Sequence, residues 1–501
     1  MAALSSISEV FSSKRFRSTP LSVLEPIMLR FLELCVDLRK GRTAKDGLIL
    51  YKNVAQNTSV QSVEVTINKL LSLSRQKLAD ALAKVEELEG GADTTAAAKA
   101  EGGKAAVDVD DLEATETPES ILLGAVSDDK SRDRTYRALV TPWLRFLWES
   151  YRTALDILRN NARLETLYQT VCHDAFQFCL AHQRKTEFRR LCETLRSHLA
   201  SSQKYTHQSH SINLNDPDTL QRHLDTRFQQ LSTAVELELW QEAFRTAEDI
   251  HTLVGMSKRA PKGPVMASFY DKMAKVFAVG DNFLFHAAAY GKLYSLHSAR
   301  LALQGGDAKG EDGELEKLAS RVLLSALAVP VGSGVVETGR GRSASADGPT
   351  EEGESKGRLG RLASLIGLAT PPTRAGLIHD ALSRHALKRV SPQLRELYQI
   401  LEVDFHPLSI TAKIDPILAQ LEQQPDTARY VAPLKEVVLA RLFQQLAQVY
   451  SSLKLDRVVK LASFQADGDR DVTRRRVERY VTEACRRGDV DVTIDHASGS
   501  I

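Results

Sequence analysis

Residues 433–494 constrain the fold of this chain most tightly, because several kinds of predicted element follow one another there in a recognisable order. Alternating apolar and polar side chains at residues 490–494 predict a strand with one buried face. Before that strand, apolar residues at helical spacing predict helices over residues 433–451, 455–462 and 472–487. Three helices followed by a strand and a turn are the order of a winged helix.

The chain ends at Ile501, shortly after the turn predicted at residues 497–499. A wing normally has a second strand, and here that strand would be cut short. We therefore expect the sequence to be a fragment of a longer protein. Its 501 residues are enough for two or three domains with their own cores.

Upstream of residue 433, nearly every stretch rich in apolar residues shows helical periodicity. These predicted helices join through short turns and recur in pairs at roughly 30–40 residues, a spacing typical of tetratricopeptide-type repeats. A four-helix bundle has room for fewer helices than this. The predicted fold class is mostly α, with a TPR-like helical-repeat solenoid followed by a C-terminal winged helix.

Prolines and hydroxyl residues predict several helix starts in the first half of the chain. A helix is expected to begin at Pro26 and to end at residue 38. The Thr117-Pro118 and Thr141-Pro142 pairs each predict a hydroxyl N-cap followed by proline at the first helical position.

The overall charge does not point to nucleic acid, since 66 basic residues face 64 acidic ones, so any basic surface must be local. One such surface is predicted on the helix at residues 472–487, where three arginines recur at spacings of four and seven. The candidate RNA-binding residues are Arg474, Arg475, Arg476, Arg479, Arg486 and Arg487. Three interpretations stay open: a solvated face that pairs with Glu478 and Glu483 and contacts another protein, contacts with RNA phosphates, or base readout in the major groove of DNA.

The predicted strand is a second candidate surface. An exposed strand edge can extend the sheet of a partner, so two winged helices could assemble side by side through it. The candidate subunit-interface residues are Val490, Val492 and Ile494.

Catalytic and metal-binding signatures are missing from the sequence, so we expect neither an enzyme nor a cofactor or metal site. Asp467, Asp469 and Asp471 alternate around a glycine, but they lack the full calcium-loop pattern and are interpreted as a solvated turn. The 5 cysteines form no CxxC pair and are expected to be small buried residues in a reducing compartment. Neither a secretory signal nor a membrane-spanning run is present.

A helical solenoid that leads directly into a winged helix resembles the PCI domain. Within that family, several segments resemble the largest subunit of eukaryotic translation initiation factor 3. The segments are residues 25–40, 117–120, 141–152, 212–215, 238–244, 369–374, 376–378 and 494–496. The chain differs in its shortened first helix, in its longer inserts and in lacking the long charged C-terminal region of the family.

The resemblance implies a scaffold protein in the cytoplasm. Its expected partners are the other subunits of the factor, especially the c subunit, the small (40S) ribosomal subunit, and mRNA or rRNA, with no membrane. The alternative is a PCI scaffold protein of another large complex, such as the proteasome lid or the COP9 signalosome.

The same reasoning divides the chain into segments. Three stretches with few large apolar residues, residues 90–106, 304–313 and 332–357, are predicted to be disordered inserts. The predicted segments are N-terminal helical repeats at 1–89, a disordered insert at 90–110, a helical-repeat solenoid at 111–303, a helix flanked by disordered inserts at 304–360, and a PCI domain at 315–496 whose winged helix spans 433–496.

Overall fold

Helices dominate the computed structural model, and they form two compact units, Met1–Ala260 and Pro261–Ile501. No described helix is long and apolar enough to cross a membrane. The structure describes residues 2–13, 16, 19–90, 112, 136, 139–205, 210–257, 259–304, 309–331, 351–450, 452–463, 470–487 and 492.

The first unit consists of helices that pack on their neighbours along the chain. These helices are α1 (Ala2–Ser12), α2 (Leu21–Asp37), α3 (Gly41–Thr58), α4 (Val60–Gly90), α5 (Thr141–Leu158), α6 (Glu165–Ala181), α7 (Lys185–Lys204), α8 (Pro217–Glu236) and α9 (Trp240–Met256). Helix α2 packs on α3 and α4, α4 packs on α5, α5 packs on α6, and α6 and α9 both pack on α8. This succession of contacts between near neighbours is the arrangement expected of a helical-repeat solenoid.

The second unit continues the helical pattern with shorter elements towards its end. Its helices are α10 (Gly263–Val279), α11 (Phe283–Gln304), α12 (Lys309–Leu327), α13 (Glu351–Leu365), α14 (Arg374–Ser383), α15 (Ala386–Arg389), α16 (Pro392–Tyr398), α17 (Ile410–Gln423), α18 (Val431–Val449), α19 (Leu455–Ala462) and α20 (Arg470–Arg487). Helix α11 packs on α10, α12 and α14, and α17 packs on both α16 and α18. The prediction of a mostly α fold is confirmed.

Left-handed residues close four of the tight turns between paired helices. The residue after each of them donates its backbone N–H to the carbonyl five positions earlier, at 2.9 Å in every case. This hydrogen bond belongs to the Schellman motif, which usually has glycine at the left-handed position. Here the position is held by side chains with φ between 52° and 60°, namely Arg39, Gln183, Glu238 and Asp281.

Two predicted helix starts were wrong. Helix α2 begins at Leu21 and contains Pro26 in its interior, because Leu24, two residues before the proline, already lies in the core. At α5 the N-cap is Val140, whose N–H donates to the Tyr136 carbonyl at 2.8 Å, so the backbone turns helically before Thr141. The Thr141 hydroxyl is buried without a hydrogen-bond partner instead of capping the helix.

Most of the predicted inserts lie outside the described residues, as does the Thr117-Pro118 helix start. The described ends of two predicted inserts are helical and not disordered. Helix α12 begins at Lys309, within the insert at 304–313, and α13 begins at Glu351, within the insert at 332–357. The predicted strand also lies outside the described residues, apart from Val492, which has no regular secondary structure. The predicted segment boundaries stay predictions.

Candidate functional site

The last three helices form one apolar cluster, which we call the C-terminal core. The ring of Phe443 from α18 stacks on that of Tyr480 from α20, with centroids 5.7 Å apart. Apolar residues of α20 at spacings of three and four face inward, and Val477, Tyr480, Val481 and Ala484 are all buried. The helical periodicity of the sequence therefore predicted the inner face of α20 correctly.

The outer face of α20 carries predicted basic residues, among them Arg474, Arg475 and Arg479. The helix contains seven arginines against Asp471, Glu478 and Glu483, so it keeps an excess of positive charge. Arg474 Nε lies 3.0 Å from Glu478 Oε1, and Arg479 Nε lies 2.9 Å from Glu483 Oε1, each pair one helical turn apart.

Solvent surrounds these pairs, so they leave the guanidinium groups accessible. The Arg479 side chain is 81% exposed, and the Glu483 carboxylate beside it raises the pKa of Arg479. Arg475 is also exposed, and Arg476 is half-buried. The pairing with Glu478 and Glu483 matches the interpretation of a solvated face, but exposed ion pairs of this kind contribute little to stability.

The remaining candidate residues are described only in part. Arg486 and Arg487 lie in α20, but their side chains are outside the described residues, as are Val490 and Ile494. Val492 is half-buried against the C-terminal core, and its carbonyl accepts a hydrogen bond from the Cys485 thiol at 3.3 Å. Part of the Val492 side chain therefore packs on the chain itself.

A network of three charged residues connects α18 to earlier helices of the second unit. The sequence analysis did not predict it. Glu402 accepts hydrogen bonds from Arg374 and Arg441, each at 2.5 Å, through different carboxylate oxygens. Arg374 also donates to the Val329 carbonyl, and Arg441 donates to the Leu401 carbonyl. The network links α14 and the π-helical residues Gln399–Val403, which follow α16 directly, to α18, the first helix of the C-terminal core.

A buried histidine makes a second link to the start of α18. His286 Nδ1 donates to the Ala274 carbonyl at 2.7 Å, and Nε2 accepts from the Tyr430 hydroxyl at 2.8 Å. Burial lowers the pKa of His286 to about 4, so the ring is neutral and both nitrogens have partners. No periodicity in the sequence marks this contact, which joins residues 144 positions apart.

The described part of the chain also contains cysteine, histidine and carboxylate side chains. No group of three or more His, Cys, Asp or Glu residues there could hold a metal ion. Asp467 and Asp469 lie outside the described residues, whereas Asp471 lies in α20 and not in the predicted solvated turn. All 5 cysteines are free, and burial raises the pKa of four of them: Cys35, Cys172, Cys179 and Cys192.

Two family models together match almost the entire chain. The model described as "eIF3a, PCI domain, TPR-like region" matches residues 1–409, and the model described as "PCI domain" matches residues 413–501. Both matches agree with a helical-repeat solenoid that leads into a C-terminal PCI domain.

Curated relatives give the same result at high identity. A protein of Mycosarcoma maydis, named as the A subunit of eukaryotic translation initiation factor 3, is 55% identical over 502 residues, covering 100% of this chain and 47% of the relative. Proteins with the same name from Aspergillus niger and Coccidioides immitis are 52% identical over 505 residues, covering 99% of this chain. The chain spans about half the length of these relatives.

Proposed function

This chain belongs to the eIF3a family of PCI-domain proteins, and we propose that it acts as a scaffold subunit of eukaryotic translation initiation factor 3 in the cytoplasm. The proposal rests mainly on the similarity of the whole chain to proteins named as the A subunit of this factor. Stacked helices that end in a compact C-terminal core are consistent with a protein that holds other subunits in place. The proposed partners are other subunits of the factor, mRNA and the 40S ribosomal subunit.

Sedimentation of the tagged chain in a sucrose gradient tests this proposal directly. We expect the chain, expressed in its own cells at low salt, to travel with 40S subunits and other initiation factor 3 subunits. Co-purification with proteasome-lid or signalosome subunits would support the alternative PCI scaffold instead. Migration alone at the top of the gradient, with no partner recovered, would contradict assembly through this part of the protein.

We further propose that the C-terminal PCI domain binds the PCI domain of the c subunit through the edge that carries Val490, Val492 and Ile494. Replacing Val492 and Ile494 with Asp should abolish capture of the purified c subunit, because charge on an apolar contact is costly to bury. Since Val492 also packs on the C-terminal core, an Ile494→Asp variant tests the edge separately. Val65→Asp, at an exposed valine of α4, is the matched control and should bind normally.

The basic face of α20 is a second candidate, for contact with RNA phosphates. Exposed guanidinium groups in excess over carboxylates are the observation that favours it. Removing three phosphate contacts by Arg475→Ala, Arg479→Ala and Arg486→Ala should reduce the slope of log affinity against log salt by about 2 for single-stranded RNA. The control replaces three exposed arginines of the first unit, Arg30, Arg245 and Arg259. Equal slopes in both triple variants would contradict RNA binding by α20.

A further inference from the structure

A groove of about 590 Å³ lies on the second unit between α11 and α14. Its α11 wall includes Ala287, Ala288 and Gly291, and its α14 wall includes Leu377 and Ala381. The segment between α13 and α14 lines the groove as well. The volume falls within the range of protein cavities that hold small molecules.

Small residues give the α11 wall its shape. Ala287 and Ala288 lie one helical turn from Gly291, so these three positions leave a flat stretch of the wall, with the longer side chains of Leu284, Lys292 and Tyr294 on either side of it. A Cβ added at Gly291 would meet no atom within 4 Å, which shows that open space lies directly above the backbone. A second helix could therefore approach α11 closely and place side chains of one face in the groove.

The groove has a basic rim. Lys292 Nζ donates to the Gly367 carbonyl at 3.1 Å, and Arg384 Nη1 donates to the Gly291 carbonyl at 2.9 Å. Asp380 is the acidic residue of the lining, and its carboxylate lies 3.8 Å from Arg384.

The segments around the groove carry more basic than acidic residues, as its rim does. The two stretches that form most of the groove, α11 and residues 366–390, contain one acidic residue, Asp380. Against it stand six basic residues, Lys292, Arg300, Arg374, Arg384, Lys388 and Arg389, although Arg374 pairs with Glu402 outside these two stretches. A partner with acidic side chains around its apolar face would complement this charge.

We propose that this groove binds an amphipathic helix of a partner protein, with apolar residues in the groove and acidic residues against Lys292 and Arg384. This surface is separate from α20 and from the edge at Val490, Val492 and Ile494, and it does not depend on either proposal. It would give the scaffold a second docking point, within the helical repeats themselves.

The test uses labelled synthetic peptides of about 15 residues, a length at which alanine-rich sequences begin to form helix in water. Each peptide carries Leu, Met or Phe anchors at helical spacing, flanked by Glu in one set and by Lys in the other. Fluorescence anisotropy with the full chain should show the best Glu peptide binding at least about tenfold more tightly than its Lys counterpart, a difference of about 1.4 kcal/mol.

Gly291→Leu is the blocking variant, because a Cβ at this position meets no atom within 4 Å and the rest of the side chain would extend into the groove. Leucine is also a better helix former than glycine, so the variant should stay folded. It should reduce the affinity for the Glu peptide at least about tenfold, which corresponds to about 1.4 kcal/mol. Gly255→Leu, at another open helical glycine, is the matched control and should leave the affinity unchanged.

The charge reversal Lys292→Glu should remove the preference for Glu peptides over Lys peptides. Any of three results would overturn the proposal: no peptide of either set binds, both sets bind equally, or Gly291→Leu binds as tightly as the original chain. Self-association that Gly291→Leu abolishes, without peptide binding, would assign the groove to a second copy of this chain instead.

Discussion

Single residues in the tight turns carry a conformational cost that can be removed. Glu238 is exposed and has φ of 60° at the turn between α8 and α9. A left-handed backbone costs a residue with a Cβ roughly 1–2 kcal/mol, whereas glycine adopts it readily. The turn holds Glu238 in this conformation because the neighbouring residues pack and hydrogen-bond well. For example, the Leu239 backbone N–H donates a hydrogen bond to the Ala234 carbonyl.

Glu238→Gly is therefore expected to stabilise the first unit, by about 0.5–1 kcal/mol after the greater freedom of glycine in the unfolded chain is subtracted. Urea unfolding followed by circular dichroism measures the change. Glu236→Gly, two residues earlier in the last turn of α8, is the matched control. It should destabilise the unit by up to about 1 kcal/mol, since glycine is a poor helix former. Two variants that shift the midpoint in the same direction would refute the left-handed strain argument.

The buried His286 predicts a pH dependence of stability. Its pKa is about 4 in the folded chain, against 6.5 for an ordinary histidine. The neutral ring thus stabilises the second unit fully above about pH 6.5, and this contribution is lost as the pH falls towards 4. We expect the urea midpoint to drop across that window and to drop less in His286→Gln. His379→Gln, at an exposed histidine of α14, is the control and should keep the original slope. An unchanged slope in His286→Gln would contradict the prediction.

At the scale of elements, α2 contains a proline, Pro26, that destabilises the helix in which it lies. Pro26 lies in the helix interior, where it has no N–H to donate to the carbonyl of Ser22. The helix persists because its apolar side packs into the core, with Leu24, Met28 and Phe31 all buried. Tertiary packing here outweighs local preference.

Pro26→Ala should consequently stabilise the first unit by about 1–3 kcal/mol, because it restores a hydrogen bond and relieves a clash with the preceding turn. The side chain is exposed, so the change removes no core contact. Pro217→Ala is the control: Pro217 is the first residue of α8, where a missing N–H has little effect. Thermal unfolding of the two variants measures the change in Tm. Equal changes in Tm would contradict the prediction that only the interior proline destabilises its helix.

At the scale of the whole molecule, both units enclose their thiols or leave them only partly accessible. Four of the five cysteines are buried, and burial raises the pKa of Cys35 and of Cys192 to about 12. A thiol that is neutral and buried reacts slowly with disulfide reagents. Cys485, beside Val492, is the half-buried one.

Ellman's reagent at neutral pH should thus label at most one thiol quickly in the native chain and all 5 after denaturation. Cys485→Ser should remove the fast phase, whereas Cys35→Ser should leave it. Rapid reaction of two or more native thiols would mean that the buried cysteines are accessible from solvent.

The sequence by itself determined the helical class, the inner face of α20 and the course of most helices. Apolar spacing records burial locally, since each turn of helix must place its own side chains against the core. It also predicted that arginines such as Arg474, Arg475 and Arg479 lie on the outer face of α20, and it predicted the burial of four of the 5 cysteines. The pairing of Arg474 with Glu478 and of Arg479 with Glu483 followed from spacing as well, because both partners lie on one helix.

Only the tertiary structure decided the features that join distant parts of the chain. The Glu402 network, the His286–Tyr430 hydrogen bond and the groove between α11 and α14 each bring together residues with no shared periodicity. Local rules also failed at Pro26 and Thr141, where packing and a preceding helical turn moved the helix start. The physical reason is the same throughout: spacing along the chain determines which side of a helix is apolar, whereas the neighbour that covers it depends on the whole fold.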